Sequence, residues 1–177
     1  MASSTFMRLA TLVALCSVFA RATYADAPTL SISVVVASHE EPARIVYANV
    51  NSHFHVLLSN LSGAPLKIWE QDNSWGYSAL SFEFTDEGGK TWVVRRTGTI
   101  FTMNIPASWV VEPHGHLVLD VYFGDEKSWE RFPWPDKGSR AVTMRAIYAV
   151  EPTPESARYG VWTGRAVSSA RTVVFSR

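Results

Sequence analysis

The chain reads as an all-β protein, an antiparallel sandwich of about eight or nine short strands. Three observations predict this. Apolar and polar residues alternate in short runs, most clearly in Leu80-Ser81-Phe82-Glu83-Phe84-Thr85, and strict alternation marks a strand with one buried and one wet face. Turn-forming clusters rich in Gly, Pro, Asn and Asp separate these runs at regular spacing. No long segment repeats its apolar residues at helical spacing.

In chain order, Leu30-Ser31-Ile32-Ser33-Val34-Val35-Val36 is the first strand, with Leu30, Ile32, Val34 and Val36 inward. His39-Glu40-Glu41-Pro42 breaks it, and Ile45-Val46-Tyr47 is a short edge strand. From Phe54 to Ser59, Phe54, Val56 and Leu58 share one face, while His53, His55 and Leu57 share the other. Asn60-Leu61-Ser62-Gly63-Ala64-Pro65 turns the chain into Leu66 to Trp69. An aromatic loop, Asn73-Ser74-Trp75-Gly76-Tyr77, leads into Leu80 to Phe84. Gly88-Gly89 supplies turn glycines before the return strand Thr91 to Arg95. Residues 97–106 form a loop, and Trp109-Val110-Val111 precedes a turn at Glu112 to His116. Leu117, Leu119, Val121 and Phe123 alternate with Val118, Asp120 and Tyr122 in another strand. After a long loop, Gly124 to Gly138, the run Val142 to Tyr148 alternates again. Thr153-Pro154-Glu155 is a helix start, with Thr as N-cap and Pro in the first position. Val161 to Val167 and Thr172 to Phe175 close the chain as strands. Such a set buries its apolar faces by stacking two sheets, so residues 28–177 are expected to be a single immunoglobulin-like β-sandwich domain.

Residues 1–27 have the make-up of a cleavable signal peptide. Arg8 is followed by an apolar run from Leu9 to Ala20, and Ala25-Asp26-Ala27 is a small-x-small cleavage pattern. The run is too short to favour a membrane-spanning helix. The expected compartment is therefore outside the cytoplasm, in the periplasm or secreted. Cys16, the one cysteine, lies in that leader; bulky Leu15 before it argues against lipidation. A mature chain of about 150 residues without cysteine has to rely on its apolar core. Sixteen Lys and Arg balance sixteen Asp and Glu in a mixed pattern, which disfavours nucleic acid as a partner.

Three places carry a family resemblance: Phe54-His55-Val56-Leu57-Leu58-Ser59-Asn60 with Pro65; Trp75-Gly76-Tyr77 with Leu80, Phe82 and Gly88-Gly89; and Met144-Arg145-Ala146-Ile147-Tyr148 with Gly160-Val161-Trp162-Thr163-Gly164. Over about residues 50 to 168 the chain resembles an uncharacterised family of exported bacterial immunoglobulin-like β-sandwich proteins. The resemblance implies a fold and a compartment, and no activity. A weaker likeness is to the β-sandwich proteinase inhibitors of bacilli; it rests on turn grammar common to many sandwiches, so inhibition does not transfer with it.

Two groups of residues are candidate sites. Trp69, Trp92 and Trp162 fall within expected strands, whereas Trp75, Tyr77, Trp129 and Trp134 fall on loops. An exposed indole suits the apolar face of a sugar ring or a proline-rich peptide; the competing reading is that these rings plug the ends of the sandwich. The first functional reading is thus a non-enzymatic binding module for a protein, peptide or glycan, needing no cofactor. The second is a copper- or zinc-binding protein using His53 and His55, two apart on a strand, with His114 and His116 if the fold brings the pairs together. The bland alternative leaves them as solvent-facing residues. A small hydrolase or a proteinase inhibitor ranks third. No catalytic elbow, zinc-protease motif or phosphate loop occurs, and the adjacent acids Glu40-Glu41 and Asp125-Glu126 read as solvated loop charge. Arg145, a charge on a strand, is expected to pair across strands with Glu83 or Asp120.

Overall fold

The computed structural model describes residues 29–46, 53–124, 128–130, 132 and 134–177. The expected signal peptide with Cys16, and also Tyr47, Asp125 and Glu126, lie outside the described residues. Strands are β1 (Leu30–Val35), β2 (Ala43–Val46), β3 (His53–Asn60), β4 (Leu66–Trp69), β5 (Leu80–Asp86), β6 (Thr91–Val94), β7 (Ser108–Val111), β8 (His116–Tyr122), β9 (Ser139–Val150), β10 (Gly164–Val167) and β11 (Arg171–Ser176). Two short helices, α1 (Ser74–Tyr77) and α2 (Pro154–Tyr159), interrupt them.

The protein is all-β and its sheets are antiparallel, with one exception. One sheet has the order β1-β3-β8; a second has β2-β11-β9-β5-β6 with β10 also on β9; β4 and β7 form a pair. The structure has eleven strands against about eight or nine expected; the run not read as a strand, Trp109-Val110-Val111, lies in β7, which pairs with β4. The wholly antiparallel expectation is corrected at one edge, where β2 runs parallel to β11, Ala43 opposite Val173 and Ile45 opposite Phe175. Those strands lie at opposite ends of the chain, so no hairpin dictates their direction. Two local expectations also change. The aromatic stretch after Asn73 is a helical turn, and Trp162 precedes β10 instead of lying within a strand.

Alternation is borne out where it was strongest. Phe54, Val56 and Leu58 of β3 are fully buried, as are Leu80, Phe82 and Phe84 of β5. Rings from the two larger sheets meet in one core: Phe54 lies edge-on to Phe82 at 5.4 Å, and Phe123 lies 5.2 Å from both. Phe132, from the loop before β9, stacks on Phe123 and approaches Phe175 of β11 to 4.3 Å. Each large ring removes much apolar area from water, and offset or edge-to-face contacts add about 0.5–1.5 kcal/mol per pair beyond that area. On the wet face, Glu83 of β5 stands opposite Arg145 of β9, with charges 4.0 Å apart. Glu83 is thus the cross-strand partner of Arg145.

The strand β9 is long because different partners take different parts of one edge. Its residues 139–144 pair with β11, and residues 147–150 pair with β10. Between them Ala146 would lack a ladder partner for its N–H. The buried Ser168 supplies one: its hydroxyl accepts from the Ala146 N–H, and its own N–H donates to the Ala146 carbonyl. Helix α2 is capped as its sequence predicts. Thr153 Oγ1 accepts from Ser156 N–H, Ser156 Oγ accepts from Thr153 N–H, and Gly160 ends the helix at φ 64°.

Strands β3 and β8 pair, and the same two chain stretches pair again as β4 and β7 after interruptions at residues 61–65 and 112–115. Asn60 sits at the break with its side chain fully buried. Its amide N–H groups donate to the carbonyls of Ala64, Val111 and Glu112 at 2.8, 2.9 and 3.2 Å, and its carbonyl oxygen accepts from Ser62 N–H and Oγ–H. Those bonds span the interruption in the ladder. Asn60→Ala removes all five, the buried one to Val111 among them, and empties a buried place; it is expected to cost about 2–4 kcal/mol. In thermal denaturation that is a fall in Tm of roughly 5–15 °C. Asn60→Asp, which keeps the shape but faces three carbonyls with a charged acceptor, is expected to be at least as destabilising.

Candidate functional site

The site is built around α1. Asn73 precedes that helix with extended backbone, and its buried side chain accepts from the N–H groups of Trp75 and Gly76. Its amide also donates to the Ala107 carbonyl, tying the helix start to the segment before β7. Asn104 repeats the tie, accepting from Ser74 N–H and donating to Ser74 Oγ. Gly76 is buried against β4, where an added Cβ would run into the Glu70 carbonyl oxygen and lie 2.8 Å from the Trp69 Cβ. This close approach sets the indole of Trp75 against that of Trp69, centroids 5.7 Å apart and planes at 30°. Trp69 is buried and packs on Tyr159 of α2 at 5.6 Å.

Beside this pair lies an open cleft of about 320 Å³. Trp75, half-buried, and Trp69 form one wall; Ala79, Ala149 and Val150 form the apolar remainder. The backbones of Ala79 and Ala149 are hydrogen-bonded, Ala149 N–H to Ala79 O at 2.9 Å. Two methyl side chains at this crossing leave the hollow that larger residues would fill. Ser78, Glu151 and Thr153 line its margin. The volume falls at the lower end of the range for ligand sites, and the mix of aromatic wall with few polar groups is typical of them.

The other loop aromatics do not join Trp75. Tyr77 turns towards Phe101, edge-on at 5.4 Å, with the Arg96 guanidinium 5.5 Å from its ring. Trp129 is only 2% exposed: it packs on Phe82 and Phe123, each at 5.4 Å, and Arg96 lies 4.3 Å above it. As a ligand platform Trp129 is therefore corrected to a core ring, held there because Thr97 N–H bonds the Ser128 carbonyl and Glu130 N–H that of Arg95. Trp134 is half-buried against Phe132 and Phe175 at 5.1 and 5.2 Å. Of the four loop aromatics, Trp75 is the one that walls the cleft.

The histidine pairs do not meet. His53 and His55 project from the outer face of the β1-β3-β8 sheet, where Asp120 of β8 lies opposite His55. His53 Nδ1 is 2.9 Å from Asp120 Oδ2, and its ring stacks on Tyr122 at 4.7 Å. His55 Nδ1 lies 3.4 Å from Asp120 Oδ1 without hydrogen-bond geometry. His116 stands opposite Ser59 and bonds its hydroxyl at 2.7 Å. It is four residues from Asp120 along the strand, roughly 13 Å at about 3.3 Å per residue. His114 occupies the preceding turn with φ 59°. Among the described residues, no group of three or more His, Cys, Asp or Glu is arranged to hold a metal ion. Asp120 was missed as the partner of the two histidines because only the β3–β8 register brings it opposite.

No protein-family model matches the chain, and no curated protein matches it. Among solved structures it is similar to a protein titled as the X-ray structure of Northeast Structural Genomics Consortium target SoR45. The two are 11% identical over 84% of this chain and 87% of that one, with a TM-score of 0.39. A likeness of that size carries no argument about fold or function. Among the described residues, no helix is long and apolar enough to cross a membrane.

Two variants probe this region. Gly76→Ala forces α1 away from Glu70 and Trp69; it is expected to lower Tm and red-shift the tryptophan emission as Trp75 loses its contact with Trp69. Tyr148, next to Ala149, is 1% exposed, its hydroxyl has no hydrogen-bond partner, and burial pushes its phenol well above the ordinary value. The unfolded chain therefore ionises Tyr148 from about pH 10 while the folded one does not. Stability is full below that pH and falls as pH rises above it. Tyr148→Phe is expected to keep or slightly raise Tm at pH 7, having no unsatisfied hydroxyl to bury, and to move the alkaline unfolding midpoint upward.

Proposed function

We propose that the protein is an exported, non-enzymatic binding module. In this reading residues 1–27 are a signal peptide, the two larger sheets form an immunoglobulin-like sandwich, and the Trp75 cleft receives a peptide or a glycan outside the cytoplasm. The sandwich reading is supported by rings of β3 and β5 meeting in one core. The observation that carries the binding reading is the cleft itself. A half-buried indole is held in place by a glycine contact, a buried asparagine cap and a stack on Trp69, beside a hollow kept open by two alanines. A ring needed only for packing has no requirement for that hollow, whereas a flat indole face beside it suits a sugar ring, a proline or an alkyl chain.

Peptide and glycan arrays, followed by fluorescence titration of hits, test the proposal. Iodide is expected to quench Trp75 while buried Trp69 and Trp129 resist, so Trp75→Phe should remove most of the quenchable emission from α1. Ala149→Leu fills the hollow and is expected to weaken a hit at least tenfold with little change in Tm. Hits that bind Trp75→Ala and Ala149→Leu as tightly as the parent would place binding elsewhere and end the proposal.

A further inference from the structure

The cleft has a charge pattern that narrows its occupant. Its lining comes from the end of β4 and the α1 region, Trp69 to Ala79, and from residues 149–153 before α2. Glu151 is the one charged residue of that lining, and no lysine or arginine belongs to it. The neighbouring cations are engaged at Tyr159: Lys67 Nζ donates to its carbonyl at 3.2 Å, and the Arg158 guanidinium lies 5.7 Å from its ring. The hollow is therefore apolar and aromatic, with a single carboxylate in its lining.

We infer that the cleft takes the side chain of a lysine or arginine from an extended peptide, its alkyl stem against Trp75 and its cation at Glu151. This inference rests on the binding reading above and names its ligand. A long basic side chain matches both halves of the lining, because it is apolar along the stem and charged at the tip. An indole face attracts a cation as well as an alkyl chain. A neutral sugar would use the aromatic wall but leave the Glu151 carboxylate without a complementary charge and find few hydrogen-bonding groups among Ala79, Ala149 and Val150. The volume, about 320 Å³, is at the lower end for whole small-molecule ligands, which favours one inserted side chain over a complete free ligand.

The test uses the full mature chain and three probes: an acetylated, amidated Gly-Gly-Lys-Gly-Gly peptide, its norleucine counterpart, and a neutral chito-oligosaccharide. The readout is the indole N–H resonance of Trp75, assigned with Trp75→Phe. The lysine peptide is expected to shift that resonance and to bind at least about five times more tightly than the norleucine peptide. Glu151→Gln is expected to weaken it about three- to tenfold and to erase the difference between the two peptides, as is high salt. Equal binding of the norleucine peptide, or preference for the oligosaccharide, overturns the basic-side-chain assignment and leaves the binding proposal standing. If none of the three probes moves the Trp75 resonance, this inference falls; whether the binding proposal falls with it is decided by the array hits and the Ala149→Leu variant.

Discussion

The break between the β3–β8 and β4–β7 ladders at Asn60 is the constraint on which the rest of the arrangement depends. There the ladder is interrupted, and the buried Asn60 amide bonds the carbonyls of Ala64, Val111 and Glu112, the bond to Val111 lying fully inside. Only a side chain with donors and an acceptor at its tip can serve both the carbonyls and the Ser62 turn. Beyond the break, β4 sets Trp69 in place, and Trp69 is the surface on which both α1 and α2 pack through Trp75 and Tyr159. The cleft is thus a downstream consequence of a buried amide.

The core around this break is built from rings. The single cysteine precedes the described residues, so no disulfide joins them. Phe54, Phe82, Phe84, Phe123, Trp129, Phe132 and Phe175 contact one another in a chain of mostly edge-to-face pairs. Flat, rigid side chains suit this task because they bury much area for few rotatable bonds. The same economy explains why most of the loop aromatics turn out to be packing residues. A loop that closes over the end of two sheets has to cover apolar edges, and Trp129 and Phe132 do so.

The strands with strict alternation, the Gly88-Gly89 hairpin and the Thr153 cap were all readable in the sequence, which left Arg145 a choice between Glu83 and Asp120. Each depends on neighbours within a few residues or on a face repeated every second residue. Less readable were the helical turn at Ser74–Tyr77, a single turn short enough to pass for a loop, and β7, whose signal is too brief without its partner β4. The parallel β2–β11 pair and the Asp120 contact with both histidines were not readable at all, and the burial of Trp129 was one of two readings that the sequence left open.

By itself the sequence determined an all-β chain and which face of each strong strand is apolar, because side-chain alternation is a local property of extended backbone. It also marked the aromatic residues that lie between the strong strands. Which indole walls a cleft and which fills the core was decided only by tertiary structure. Trp75 and Trp129 look alike in sequence, and they differ in what other segments bring beside them: two alanines and Glu151 for the first, Phe82, Phe123 and Arg96 for the second. Those neighbours are set by strand register and by the break at Asn60, contacts between residues distant in sequence that no local pattern encodes.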